Sequence, residues 1–276
     1  MAVISTPAIV LHAFPYGESS KIVRLATPNQ GVLSAIAKGA QRAKSKFGAR
    51  LQPMSGGVAQ LYIRPNRDLQ TLAEFDIEHD RLALAHDVAR YASAAALGEL
   101  VLRFAPEEPH PEIFALLAAL LDRLLVVGVE HIPAASLGAL WAIVVVLGFG
   151  PALDGCAVDG CLIEPGAADF SVADGGFVCA RCGASRETSR LGAEDREILE
   201  GFVRSGYEWG GAWNGGGMRL RPGTPPSEGA GEQPLDPRHA AAHRRLLSHF
   251  IRLHVAEGRD LKALNFWESL PWRDTS

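Results

Sequence analysis

AIVLHAFPYGESSKIVRLATPNQGVLSAIAK, residues 8–38, is the stretch on which the fold turns. Three short β-prone runs, AIVLHAF, KIVRLA and VLSAIAK, follow one another, and PNQG at 28–31 separates the second from the third as a hairpin turn would. Two further runs of the same texture, VAQLYI at 58–63 and LQTLAEFDI at 69–77, extend the pattern to about His79. Five short strands in roughly seventy residues suit a small closed barrel. An OB-fold, an SH3-like barrel and another Greek-key arrangement all satisfy that strand count.

Past Arg81 the period changes from that of strands to that of helices. Ile113, Leu116, Leu117, Leu120, Leu121 and Leu124 fall on one helical stripe, Asp122 and Arg123 lie off it, and Pro111 occupies a position that tolerates proline as a first helical residue. Helices are expected before it, around Asp87 to Phe104, and after it, around Ala134 to Leu147, giving at least three members of a bundle. Helical spacing resumes with Ile198, Leu199, Phe202 and Val203 behind an acidic first turn at Glu194 and Asp195. Residues 206–237, rich in Gly and Pro, are expected to form a flexible loop, and Asp236–Pro237 to cap a final helix carrying Leu246, Phe250 and Leu253, with Gly258 as its stop.

All four cysteines lie where helical periodicity is lost, between residues 150 and 190. Cys156 and Cys161 are separated by four residues, Cys179 and Cys182 by two, and the pairs by seventeen. Each close pair presents two thiolates from one tight knuckle, and two knuckles supply the four corners of a tetrahedron that zinc accepts. Two disulfides and an iron–sulfur cluster are the alternatives; one structural zinc ion per chain is the expectation, because a chain with no secretion signal belongs in a reducing compartment. Four thiolates close the coordination sphere and leave no position for an activated water.

The net charge of −4 conceals a strong segregation. Residues 1–67 contain nine Lys or Arg against one acid, Glu18, a net of +8, so the remainder carries −12. That asymmetry points to a basic binding module joined to an acidic body. Five of the cations, Lys38, Arg42, Lys44, Lys46 and Arg50, fall within AKGAQRAKSKFGAR at 37–50, between the third and fourth runs, where flexible side chains can follow a phosphate backbone. Phe47 stands among them as a potential stacking ring, although Phe47, Tyr16 and Tyr62 are each better explained as barrel packing.

No phosphate-binding glycine loop, G-x-S-x-G elbow, H-E-x-x-H pair or nucleotide-binding glycine motif is present, so no enzymatic activity is expected. His239 and His243, four apart on the last helix, lack an evident third ligand and are expected to be surface or capping histidines. The longest apolar stretch, Leu137 to Phe149, is too short to cross a bilayer, and no membrane association is expected.

PYGESSKIVRLATPNQG (15–31), AKGAQRAKSKFGARLQP (37–53), DLQTLAEFD (68–76), the four-cysteine segment and HRRLLSHFIRLHV (243–255) together resemble the bacterial recombination mediators of the RecO family, over nearly the whole chain. The resemblance implies an α+β multidomain protein with an N-terminal five-stranded OB-fold DNA-binding domain over 1–80. A helical domain over 81–276 would follow, with the zinc ribbon inserted at 151–188. It also implies a cytoplasmic, nucleoid-associated protein that binds single- and double-stranded DNA and anneals complementary strands. Its partners would be RecR and the single-stranded-DNA-binding protein, and its role to help load RecA. The family's basic surface maps onto Lys38, Arg42, Lys44, Lys46 and Arg50, with Lys21 and Arg24 as neighbouring candidates. Two features depart from the family pattern: a longer Gly/Pro stretch at 206–237, and a four-residue spacer between the first two cysteines. The rival expectation is a zinc-ribbon adaptor whose acidic helical body binds a protein and which has no DNA affinity of its own.

Overall fold

The computed structural model describes residues 2–106, 108–211 and 234–271, with the backbone alone for 207–211. Packing divides the chain into two units, Met1–Val126 and Val127–Ser276.

The first unit opens with β1 (Ala2–Tyr16), β2 (Ser20–Thr27), β3 (Gly31–Ala37), β4 (Gly56–Ile63) and β5 (Leu69–His79). They close into a barrel in the order β1-β2-β3-β5-β4, all neighbours antiparallel except β3 and β5. This is the five-stranded, OB-like ring. Thr27 closes the β2–β3 hairpin, its hydroxyl donating to Gly31 O (2.9 Å) and accepting from Gln30 N (3.1 Å). β1 begins six residues earlier than its apolar run because Ala2–Ile9 pair with β4 while Ile9–Tyr16 pair with β2. Val10, Val23, Leu25, Ala35, Leu61, Leu72 and Phe75 fill the interior, joined by Ala40, Phe47 and Leu51 from the β3–β4 connection. Phe47 is thus a core residue. Its burial stabilises the barrel by about 1.5–3 kcal/mol.

One irregularity changes which face β1 shows. Val10 pairs with Leu25 and His12 with Arg24, so Leu11 is an extra residue in the ladder. Ala8 and Val10 point into the barrel before this bulge, whereas Ala13 does so after it. The bulge therefore turns His12, Phe14 and Tyr16 outward, and all three are exposed.

α1 (Val88–Phe104) starts at Asp87, whose carboxylate accepts from Arg90 N (2.8 Å), and α2 is Pro111–Val126 with Pro111 at its first turn. Both helices pack on the barrel, against β1 and β2, and cover Ile9, Leu11 and Ala26, which are buried outside the barrel core. Although sequence places α1 and α2 in the helical domain beginning at 81, they share a unit with the barrel.

The second unit is centred on α3 (Ile132–Val144), eleven of whose thirteen residues are buried. A 3-10 turn before it and a π turn after it make one continuous 21-residue helix, Val129–Phe149, which by length and composition could cross a bilayer. The helix is therefore longer than the apolar run Leu137–Phe149, because residues 129–136 precede that run in the same helix. Its Leu137, Leu140, Trp141, Ile143 and Val144 are buried against protein, notably α5 (Ala193–Gly211) and α6 (Pro237–Phe250). Asp236 caps α6 through Arg238 N (2.8 Å), and a π turn carries the helix on to Val255. Beyond Gly258 comes a further helix, α7 (Lys262–Ser269), absent from the sequence expectation. Its buried Trp267 donates to Ser136 Oγ of α3 (2.6 Å). The loop expected over 206–237 is helical as far as Gly211, and its stretch from 212 to 233 lies outside the described residues.

Between α3 and α5 stand a three-stranded sheet, β6 (Ala168–Ser171), β7 (Gly176–Val178) and β8 (Ser189–Leu191), in the order β7-β6-β8, and the single turn α4 (Ala180–Gly183). Phe170 of β6 meets Phe177 edge-on (5.7 Å) and Phe250 of α6 (6.3 Å), and Phe250 meets Trp141 (5.1 Å), so the small sheet shares the helical core.

Candidate metal centre and nucleic-acid interface

The cysteine segment folds as two knuckles held together by backbone. In the first, Cys156 N donates to Cys161 O (2.8 Å) and Gly160 N to Cys156 O (2.8 Å), a tight turn in which Gly160 adopts φ +71°. Ala157 N donates to Phe177 O (2.7 Å), which ties this knuckle to β7. The second knuckle continues directly from β7: Cys179 precedes α4, Cys182 N donates to Cys179 Sγ (3.5 Å), and Cys179 N donates to Cys156 Sγ (3.4 Å).

Cys156, Cys179, Cys182 and Asp159 bring their ligand atoms within 4.8 Å of one another, a grouping consistent with a metal site. Asp159, in the spacer of the first pair, is the member that the cysteine count did not reveal. Cys161, the exposed cysteine, lies at the edge of this group: its side chain interacts with Asp159 and Cys179, and its N–H donates to Asp159 Oδ1 (3.1 Å). Arg181 donates to Asp159 Oδ2 (2.6 Å) and holds its carboxyl well below the usual carboxylate range. The Asp159 carboxylate in turn pushes the Cys161 and Cys182 thiols up to about 12, while the Cys182 N–H lowers Cys179 to about 7. Anionic donors this close repel one another, and a divalent cation among them removes the conflict. The donor set therefore fits a thiolate-rich metal. No disulfide links the cysteines.

The basic loop of the first unit spans the barrel between β3 and β4. Lys38, Arg42, Lys44, Lys46 and Arg50 are all exposed. Gln41 anchors its start to the β1–β2 turn, donating from its backbone to Ser19 O (2.9 Å) and from its side chain to Ser20 O (2.6 Å). Lys46 lies 3.6 Å from Glu74 and Arg50 3.3 Å from Asp76, both on β5. Lys38, Arg42 and Lys44 make no ion pair among the described residues. The loop thus presents three unneutralised cations, with Arg42 next to the residue anchored on the β1–β2 turn, and two partly neutralised ones along β5. Lys21 and Arg24 are half-buried on β2; Arg24 Nε is enclosed with no hydrogen-bond partner among the described residues.

Family models decide the kinship: recombination protein O, N-terminal, matches residues 1–80, and recombination protein O, C-terminal, matches residues 85–194. A DNA repair protein RecO from Anaeromyxobacter sp. (strain K) is 32% identical over 274 residues, covering 97% of this chain and 96% of the relative. The chain belongs to the RecO family of DNA repair proteins. A second RecO, from Anaeromyxobacter dehalogenans (strain 2CP-1), is 33% identical over 95% of this chain and 94% of its own. That of Salinibacter ruber is 37% identical over 63% of this chain and 66% of its own. RecO kinship thus spans both units, the barrel with its basic loop and the helical unit with its cysteine cluster.

His239 and His243 are neither surface nor simple capping histidines. His239 Nδ1 lies 2.7 Å from Asp195 Oδ1, and His243, fully buried, has Nε2 3.2 Å from the same oxygen and its ring edge-on to Phe202. Asp195, read from sequence as a helix-dipole residue, therefore joins α5 to α6. Its two partners are residues from α6, which no spacing in the chain announces.

Proposed function

We propose that this RecO-family protein acts in recombinational repair by holding DNA on its barrel and annealing complementary strands, with no covalent step of its own. Lys38, Arg42 and Lys44 engage phosphates of one strand; Lys46 and Arg50 exchange Glu74 and Asp76 for phosphate; Lys21 and Arg24 add charge from β2. The observation that carries this reading is the cluster Lys38, Arg42 and Lys44, exposed and without acidic partners among the described residues. Annealing requires only a surface that lowers repulsion between two backbones while leaving bases accessible. With RecR, the protein helps load RecA on DNA coated by the single-stranded-DNA-binding protein, in the cytoplasm at the nucleoid.

In the second unit, one zinc ion held by Cys156, Cys161, Cys179 and Cys182, with Asp159 beside them, is structural. When bound, zinc supplies cross-links between the two knuckles and not a Lewis acid for chemistry. The residues themselves orient the knuckles: Arg181 fixes Asp159, and the backbone of β7 fixes Cys179.

Fluorescence anisotropy with a labelled oligonucleotide tests the reading. Lys38→Glu, Arg42→Glu and Lys44→Glu together are expected to weaken binding by more than tenfold and to flatten the plot of log affinity against log salt by about 2. Unchanged affinity and slope remove the loop from the site. A wild-type protein with no salt-sensitive affinity would instead be the zinc-ribbon adaptor.

A further inference from the structure

Resting on the reading of the β3–β4 connection as a phosphate-binding loop, we infer that Glu74 and Asp76 of β5 are built-in competitors of DNA. They occupy Lys46 and Arg50 in the free protein and hold the grip on phosphate weak enough for annealed duplex to leave.

The connection has two halves that differ in what opposes their charge. β3 and β5 pair only as far as Ala37 and Leu72, so beyond Leu72 one flank of β5 has no strand beside it. The second half of the connection lies there. Phe47 and Leu51 are buried in the barrel core, and the Arg50 guanidinium donates to Phe75 O (3.4 Å). That anchoring brings Lys46 to 3.6 Å from Glu74 and Arg50 to 3.3 Å from Asp76. Lys38, Arg42 and Lys44, in the first half, meet no carboxylate among the described residues. The fold thus sorts the five cations into three that are open and two that are opposed.

Folding does not require the two carboxylates. Phe75 points into the barrel, so Glu74 and Asp76 point outward, and both are exposed. Exposed ion pairs add little to stability, and Asp and Glu are depleted in strands. Their partners across the ladder, Gln60 and Val58, offer no countercharge. Only the loop cations answer them. A phosphate that takes Lys46 or Arg50 must displace a carboxylate, which then remains beside it as a like charge. Binding at these two cations exchanges one anion for another with little net gain, whereas at Lys38, Arg42 and Lys44 it displaces only solvent and releases counterions from the DNA. A protein that brings two strands together has to let go of the product, whose phosphates are those of both strands. Opposed cations loosen the hold on strand and duplex alike.

The test is anisotropy with labelled oligo(dT) and with a hairpin duplex. Glu74→Gln/Asp76→Asn keeps side-chain size and removes both charges, and is expected to bind both probes about three- to tenfold more tightly than wild type, the worth of two exposed ion pairs. Glu78→Gln controls for net charge: Glu78 is exposed on the same strand, makes no ion pair among the described residues, and should shift affinity by less than about twofold. With Lys46→Gln/Arg50→Gln as the background, removing the two carboxylates should likewise shift affinity by less than about twofold, because the cations they release are gone. The inference is overturned if the double variant binds no more tightly than wild type. An equal gain from Glu78→Gln, or in the background without the two cations, overturns it as well. Should the double variant fail to fold, Glu74→Gln alone decides, with a gain of about twofold expected and no gain contradicting the inference. Wild-type protein without salt-sensitive affinity for either probe overturns the DNA-binding reading itself, whereas wild-type binding that the double variant leaves unchanged overturns only the role of Glu74 and Asp76.

Discussion

Arg81 donates from Nε to Asp122 Oδ1 of α2 across 2.7 Å while its own side chain is almost wholly excluded from solvent. It also donates to Met54 O (3.1 Å) and Ala118 O (3.5 Å), so one guanidinium joins the end of β5, the β3–β4 connection and α2. Arg81→Ala is expected to destabilise the first unit by about 3 kcal/mol, since it breaks a buried pair and strips two carbonyls of their donor. Asp122→Ala should cost only about 1–2 kcal/mol, because Asp122 is half-exposed and water replaces part of the interaction. Urea unfolding followed by circular dichroism measures both; equal losses would contradict the asymmetry.

His239 and His243 make opposite contributions to stability against pH. Asp195 raises the His239 pKa above its ordinary value of 6.5, so its stabilisation is full below about 6.5 and is lost as pH rises through the higher folded value. Burial lowers His243, so the folded state resists its protonation and stability is lost as pH falls below about 6.5. His239→Ala should flatten the alkaline side of a melting-temperature profile and His243→Asn the acidic side. The same change in both variants would show that the two rings do not titrate as described.

A β-carbon on Gly57 would lie 2.0 Å from Asp76 O, inside the β4–β5 ladder. Gly57→Ala therefore forces these strands apart and should cost about 2–3 kcal/mol. Gly17→Ala, where a β-carbon meets nothing within 4 Å, should cost less, through its φ of +60° alone. Thermal melts of the two variants give the comparison; equal costs would remove steric crowding as the reason for glycine at 57.

Elemental analysis of the purified protein should return about one zinc per chain, and chelation should unfold the two knuckles, at Cys156–Cys161 and Cys179–Cys182, while the barrel persists. Cys156→Ser, at the buried centre of the cluster, should abolish retention. Cys161→Ser should weaken it less, because Cys161 is exposed and Asp159 remains within reach of the other three sulfurs. Equal loss in both variants would give Cys161 the same standing as Cys156.

The sequence was most readable where one periodicity ran unbroken. The stripe from Ile113 to Leu124 became α2, and Asp236, read as a cap, is one, because a short carboxylate before an apolar run has few other uses. Five strands were visible from their runs, but not which way β1 faces. Alternation predicts facing only while the ladder is regular, and the extra residue Leu11 reverses it. Phe47, expected to pack in the barrel although it sits among five cations, does so, because a large ring gains more from burial than its charged neighbours lose by facing water. The four cysteines announced their cluster by spacing. Asp159 did not, because an aspartate beside a glycine is ordinary turn composition. The Asp195–His239–His243 contact joins positions 44 residues and more apart, and only the packing of α5 on α6 creates it. α7 escaped notice because eight residues hold barely two turns of pattern.

The salt dependence of oligonucleotide binding tests the central claim most directly. Three unpaired cations on the β3–β4 connection, with Lys46 and Arg50 able to leave Glu74 and Asp76, correspond to three to five neutralised phosphates. The log affinity for single-stranded DNA should then fall against log salt with a slope of about −2 to −3.5. A slope near zero, in wild-type protein with its zinc in place, would contradict the account.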